Sequence, residues 1–253
     1  MLETLRLDGR VAVVTGASRG LGRAMALALA EAGADVALAG RSKPDLEETA
    51  HRVEGLGRRA LVVPTDVRIL AEVEALMGRA VTGLGRLDIL VNNSGVAHVA
   101  PLAEMPPEEW TRMLETNLTG TFNGCRAAAA HFLAVKRGKV ISIASMLAAV
   151  GLSHYASYSA TKGGIVAFTR AMAVEWARHN IQVNAIAPGW FVTDMNAHAF
   201  ADEKLRERFL RDIPMRRPGR EEEIGPLAVY LASPASDFMT GQTIYLDGGH
   251  SAA

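Results

Sequence analysis

Short β-type runs alternate with helical stretches along this chain, and no other feature narrows its fold so far. Residues 11–15 read as a strand and 20–32 as a helix; 35–39 with 45–56 and 60–63 with 70–84 repeat the pair. Further strands are expected at 88–91, 140–143, 181–186 and 243–246, and further helices at 117–135 and 156–179. Neighbouring parallel strands need a long crossover, usually a helix, so the alternation predicts an α/β fold: a Rossmann-like, doubly wound, parallel seven-stranded sheet with helices on both faces. Hydrophobic residues make up 49% of the 253, enough for a large core. No Pro/Ser/Gly-rich linker or solenoid-length repeat divides the chain, so residues 1–253 are expected to form one domain. The least regular stretch, about 188–220, holds Pro188-Gly189, a short amphipathic segment at 202–211 and Pro214, and is expected to act as a lid.

Charge and cysteine content narrow the partners. Lys plus Arg and Asp plus Glu balance at 27 each, which leaves no field to hold a phosphate backbone or an acidic membrane, so neither nucleic acid nor membrane is expected. The lone Cys125 cannot form an internal disulfide, residues 1–10 lack the apolar stretch of a signal peptide, and apolar runs such as 24–30 are far too short to span a bilayer. A cytoplasmic protein acting on a small molecule is the expectation.

The first strand runs into Thr15-Gly16-Ala17-Ser18-Arg19-Gly20-Leu21-Gly22, and a helix follows at once. Glycines there let the backbone turn sharply and approach a pyrophosphate, which would sit against the free N–H groups and positive dipole end of the helix. Gly16, Ser18, Arg19, Gly20, Leu21 and Gly22 are therefore candidate cofactor contacts, although the spacing differs from G-x-G-x-x-G. The second strand ends at Ala39-Gly40-Arg41 with no acid to accept the ribose hydroxyls of NAD, while Arg41 and Arg19 could pair with a 2′-phosphate. NADP(H) is favoured, with NAD(H) as the alternative. Asp66, with Val67 beside it, follows the third strand and is a candidate to bond the adenine, against a plain turn-forming role.

Tyr158 and Lys162 stand four apart at the start of a helical stretch and so share one face. An adjacent ammonium favours the phenolate, which would bring the tyrosine into range for acid–base work. Ser145 follows the strand at 140–143, Asn92-Asn93-Ser94-Gly95 follows the strand at 88–91, and Asn117 begins a helix. Carboxyl ends of parallel strands are where such sheets bind ligands.

With these residues the chain resembles the short-chain dehydrogenase/reductase family along essentially its whole length: the glycine motif at 15–22, Asn92-Asn93-Ser94-Gly95 for the family's Asn-Asn-Ala-Gly, Tyr158-Ser159-Ala160-Thr161-Lys162 for Tyr-x-x-x-Lys, and Pro188-Gly189. The resemblance implies Tyr158 as acid/base and Ser145 as the hydroxyl holding the substrate oxygen. It also implies that Lys162 binds the nicotinamide ribose, that Asn117 supports a water in a proton relay and that Thr193 contacts the nicotinamide amide. Asn93, Gly95, Pro188 and Gly189 complete the implied cofactor site. Such a set serves NAD(P)-dependent hydride transfer between nicotinamide and a carbonyl or secondary alcohol.

Three stretches, 143–147, 175–181 and 185–190, resemble the gluconate 5-dehydrogenase and 2-deoxy-gluconate 3-dehydrogenase branch, which implies a sugar acid or polyol as substrate. Trp190 and His154 are the candidate substrate contacts. The other histidines, 51, 98, 131, 179, 198 and 250, show no shared ligand spacing and are expected to be satisfied or superficial, with no metal site. The rival within the family is a 3-oxoacyl-carrier-protein reductase. Such reductases tend to carry docking arginines on the two long helices, where this chain has Ala130 and Val174, although Arg126 and Arg170 lie nearby. A non-catalytic nucleotide sensor is the rival from another class, opposed by the complete Ser145, Tyr158, Lys162 and Asn117 set. Family resemblance also implies a homotetramer built through 117–135 and 156–179.

Overall fold

The computed structural model describes residues 2–193, 200 and 202–253. Its centre is a sheet of seven strands: β1 (Val11–Thr15), β2 (Asp35–Gly40), β3 (Ala60–Pro64), β4 (Ile89–Asn92), β5 (Gly138–Ile143), β6 (Ile181–Pro188) and β7 (Thr243–Leu246). Their order is β3-β2-β1-β4-β5-β6-β7 and every pairing is parallel. The winding reverses between β1 and β4, and a crevice opens there at the carboxyl ends of the strands.

Both faces of these strands are buried, which is why they read as largely apolar runs. On β1, Ala12 and Val14 face a core shared with α1 (Gly20–Glu31), α2 (Lys43–Gly55) and α8 (Gly225–Ala232). Val11 and Val13 face the opposite core, filled by α3 (Leu70–Leu84), α5 (Gly120–Val135) and α6 (Ala156–Trp176). Each large aliphatic side chain so buried contributes about 1.5–3 kcal/mol. Cys125 lies in this second core, where burial pushes its thiol up to about 12 and leaves it an inert packing residue. Among the described residues no helix is long and apolar enough to cross a membrane.

The expected strands and all five expected helices are present, most with ends shifted by a few residues. Two helices were not expected: α4 (Pro107–Met113) and α8. Asn117 does not begin a helix. It lies in a π-helical segment, Leu114–Thr119, inserted between α4 and α5 in one helical run. Of the irregular stretch, α7 (Glu203–Asp212) is capped by Asp202, whose side chain accepts from the Leu205 N–H, and Phe191 bridges to Gly219. Residues 194–199, including His198, and residue 201 lie outside the described residues.

Candidate active site

A cleft of about 790 Å³ follows the crevice from the glycine loop past the ends of β4, β5 and β6 to Trp190. At one end the loop is fixed from behind. Asn93 Nδ2 donates to the carbonyls of Thr15 and Gly16, both at 3.1 Å, and Thr15 Oγ1 accepts from the N–H groups of Asn93 and Ser94. Thr49 Oγ1 on α2 donates to the Ala17 carbonyl at 3.0 Å, and Arg23 Nη2 on α1 donates to that of Ser18 at 2.5 Å. Carbonyls are thus occupied while the first turn of α1 has no side-chain cap, so its N–H groups are left for an anion. Glycine is required at 22: a Cβ there would lie 2.1 Å from the Gly16 carbonyl oxygen. Gly16 and Gly20 have φ of +65° and +56°, in the left-handed region.

Arg41 lies exposed at the rim, with no hydrogen bond or ion pair among the described residues and no carboxylate at the end of β2. Asp66 lines the same wall, but its carboxylate is taken by Arg68, whose guanidinium lies 2.6 Å away and whose backbone N–H also donates; these hold the acid below its ordinary range against the opposing effect of burial. Val67 and Thr193 also line the cleft, Thr193 beside Gly20.

At the centre, Ser145 closes β5 and caps the short turn Met146–Ala148, its Oγ accepting from the Leu147 N–H at 3.2 Å. Tyr158, on the first turn of α6, lines the same cleft as Ser145. Burial pushes its phenol up to about 12, the nearby Ser145 hydroxyl acting the other way. The expected lowering by an adjacent ammonium is therefore not what the geometry delivers. Lys162 Nζ lies over the face of the Tyr158 ring, 5.5 Å from its centroid, and its own burial pushes it down to about 8. That ammonium is anchored on the Ile143 carbonyl at 2.7 Å. Gly95 lies beside it, in ordinary contact distance of Nζ.

Asn117 is fully buried behind this centre. Its Oδ1 accepts from the Val96 N–H at 2.8 Å, and its Nδ2 donates to the Val96 carbonyl at 2.9 Å and to Thr161 Oγ1 at 3.1 Å. The side chain pins the loop after β4 and does not line the cleft. A π segment is a frequent device for displacing a helical residue toward such a task.

The far end is aromatic. Trp190 stacks on Phe209 of α7 at 4.4 Å between centroids and meets Tyr155 edge-on at 6.2 Å; Phe200 meets both Trp190 and Phe209. Trp190, Pro188 and Gly189 line the cleft as expected, but His154 does not: it is exposed, with φ +72°, and turns away. The residues that do line this end are Tyr155 and His98, with Arg112 of α4, none of them expected as contacts. Position after β4, within three residues of Gly95, was the available signal for His98. Among the described residues no group of three or more His, Cys, Asp or Glu gathers as a metal cage.

A proton-bearing phenol, a hydroxyl and an ammonium at the carboxyl end of a parallel sheet, beside an anion-accepting glycine loop, suit proton transfer to an oxygen next to a bound nucleotide. The comparisons agree. The family model described as enoyl-(acyl carrier protein) reductase matches residues 16–251. The chain is 43% identical to 2-dehydro-3-deoxy-D-gluconate 5-dehydrogenase of Escherichia coli (strain K12), over 98% of both chains. It is 40% identical to a 3-oxoacyl-[acyl-carrier-protein] reductase of Staphylococcus aureus (strain Mu50), over 94% of this chain and 96% of that one. A gluconate 5-dehydrogenase from Burkholderia cenocepacia J2315, solved in complex with NADP and tartrate, superposes with a TM-score of 0.96 at 38% identity, covering 100% of this chain and 99% of the other. The protein belongs to the short-chain dehydrogenase/reductase family.

Proposed function

We propose that the protein is an NADP(H)-dependent dehydrogenase/reductase that interconverts a secondary alcohol and a ketone on a sugar acid. The observation that carries this reading is the convergence of Ser145, Tyr158 and Lys162, the last with its ammonium 5.5 Å from the tyrosine ring centroid, in a cleft continuous with the glycine loop. The loop fits a dinucleotide: its carbonyls are engaged from behind, the first turn of α1 has no side-chain cap, and position 22 admits no Cβ. Arg41, with Arg19 near it in the loop, favours the 2′-phosphate of NADP over the bare ribose of NAD.

When bound, the nicotinamide supplies or accepts the hydride. Ser145 orients the substrate oxygen, and Tyr158 Oη gives its proton to that oxygen as the carbonyl becomes an alcohol, or takes it back in the reverse direction. A phenol pushed up to about 12 is protonated at neutral pH and stands ready as donor. Lys162, anchored on Ile143, holds positive charge beside the ring and would hold the nicotinamide ribose. Asn117 fixes the Val96 segment and thereby Gly95.

The sugar-acid assignment rests on the Escherichia coli and Burkholderia relatives. Assaying aldonates, alditols, ketones and a 3-oxoacyl thioester by nicotinamide absorbance with both cofactors tests it. Preferential turnover of aldonates or their keto forms with NADP(H) is expected; preferential turnover of the thioester would assign the carrier-protein activity instead. We further infer one domain, with 188–220 as a lid whose described part stacks Phe209 on Trp190. Exposed Phe122, Leu133 and Val174 on α5 and α6 support a homotetramer through those helices, and a lone buried thiol supports a cytoplasmic setting.

A further inference from the structure

His98 and Arg112 reach one patch of the cleft wall from different elements and share one carboxylate outside it. Glu109 Oε2 accepts from Arg112 Nε at 2.8 Å and from Nη2 at 2.5 Å, and lies 3.5 Å from His98 Nδ1. Arg112 Nη1 keeps its donor hydrogens, and His98 Nε2 its ring edge, with no partner among the described residues. The patch belongs to the end of the cleft away from the glycine loop. His98 lies between Val96, which Asn117 grips, and Ala100, whose N–H donates to the carbonyl of His154 next to Tyr155. Among the described residues no carboxylate lines this end: the acid lining the cleft is Asp66, after β3, and Arg68 lies across it.

We propose that His98 and Arg112 form the anion-recognising end of the substrate pocket, gripping a carboxylate carried on a carbon other than the reacting one. Glu109 is a positioning residue, fixing the guanidinium fork by one edge so that the other edge is presented at a set angle. The inference rests on the reading above, that a sugar acid reacts at Tyr158, and adds which residues select the acid.

The test compares six-carbon aldonates with the matched alditols, under saturating NADP(H), in wild type, Arg112→Gln, Arg112→Lys and His98→Gln. Loss of a charge-assisted contact should raise KM for the acid about 10–100-fold in Arg112→Gln, with little loss of kcat and a much smaller change for the alditol. Lysine should restore part of the affinity, and His98→Gln should show the same split at smaller size. NADPH titration by fluorescence reports whether each variant is folded; should Arg112→Gln not fold, His98→Gln, whose change lies on a loop, decides alone. An acid KM unmoved by either substitution, or an equal rise for the alditol, overturns the inference while the sugar-acid reading stands. A wild type that uses alditols as well as aldonates removes both.

Discussion

At the glycine-loop end of the cleft, main-chain atoms form the wall and side chains hold them from behind: Asn93 on Thr15 and Gly16, Thr49 on Ala17, Arg23 on Ser18. At the Trp190 end, side chains form the wall and are held by other side chains, as Trp190 is by Tyr155, Phe200 and Phe209. The first kind of wall has no tolerance for an added atom, because its spacing is set by hydrogen-bond lengths. The second can exchange one ring for another and still pack. A family that keeps one cofactor and varies its substrates would be expected to divide its cleft in this way.

Tyr158 stands where the two ends meet, and its loss should have the largest effect. Tyr158→Phe keeps the ring and removes the proton, so turnover should fall on the order of 10²–10⁴-fold while NADPH affinity, owned by the other end, is retained. Steady-state rates and a fluorescence titration read the two separately. With the phenol pushed up to about 12, wild-type carbonyl reduction should hold its rate through neutral pH, whereas alcohol oxidation, which needs the phenolate, should rise as pH increases. An oxidation rate that is flat from neutral to alkaline pH would remove Tyr158 as the titrating base.

Gly22→Ala tests the intolerance of the main-chain wall directly. The new Cβ would meet the Gly16 carbonyl at 2.1 Å and Asn93 Nδ2 at 2.4 Å, and a cost on the order of 3 kcal/mol is expected in stability, with cofactor affinity falling too. Thermal unfolding with and without NADPH measures both, and an unchanged Tm would show that this wall is softer than described. Arg41→Ala should leave the fold intact and weaken NADPH by about 10–100-fold with NADH nearly unaffected, the difference of one charge-assisted contact. Equal binding of the two cofactors by wild type would sink the phosphate assignment. Smallest of all should be Trp190→Leu: about 1 kcal/mol of stability from lost ring contacts and a few-fold change in KM, with NADPH binding unchanged. A loss of cofactor affinity there would mean that the two ends are coupled.

The same division governs what the sequence reveals. Strand β1 and helix α3 were readable to the residue, since a β-branched, largely apolar run and a regular 3.6 period each fix an element without help from elsewhere. Helices α4 and α8 were missed because both open on residues that read as breakers, Pro106-Pro107 and Gly225-Pro226; at the first helical positions proline starts a helix instead. The glycine loop, Ser145, Tyr158 and Lys162 were legible because each sits at a fixed offset from a strand or within one helical turn. Nearness in sequence misled at His154, four residues from Tyr158 yet turned outward, whereas His98 and Arg112 come together only through Glu109. The π segment carrying Asn117 leaves no periodic mark at all, since it displaces one turn within an otherwise ordinary helix.

The tie that Asn93 makes also bears on how long the enzyme keeps working once made. Hydrolysis of that amide to a carboxylate, a common form of spontaneous damage to asparagine, would preserve its shape almost atom for atom. It would also set a negative charge where two N–H bonds now point, 3.1 Å from the carbonyl oxygens of Thr15 and Gly16. Repulsion would then push apart the first and fourth strands at the end where the dinucleotide must lie, so a chemically minor scar would retire the molecule. Stored protein should lose cofactor affinity in step with acid gained at this one position, and bound NADPH, by holding the loop closed around the amide, should slow the decline.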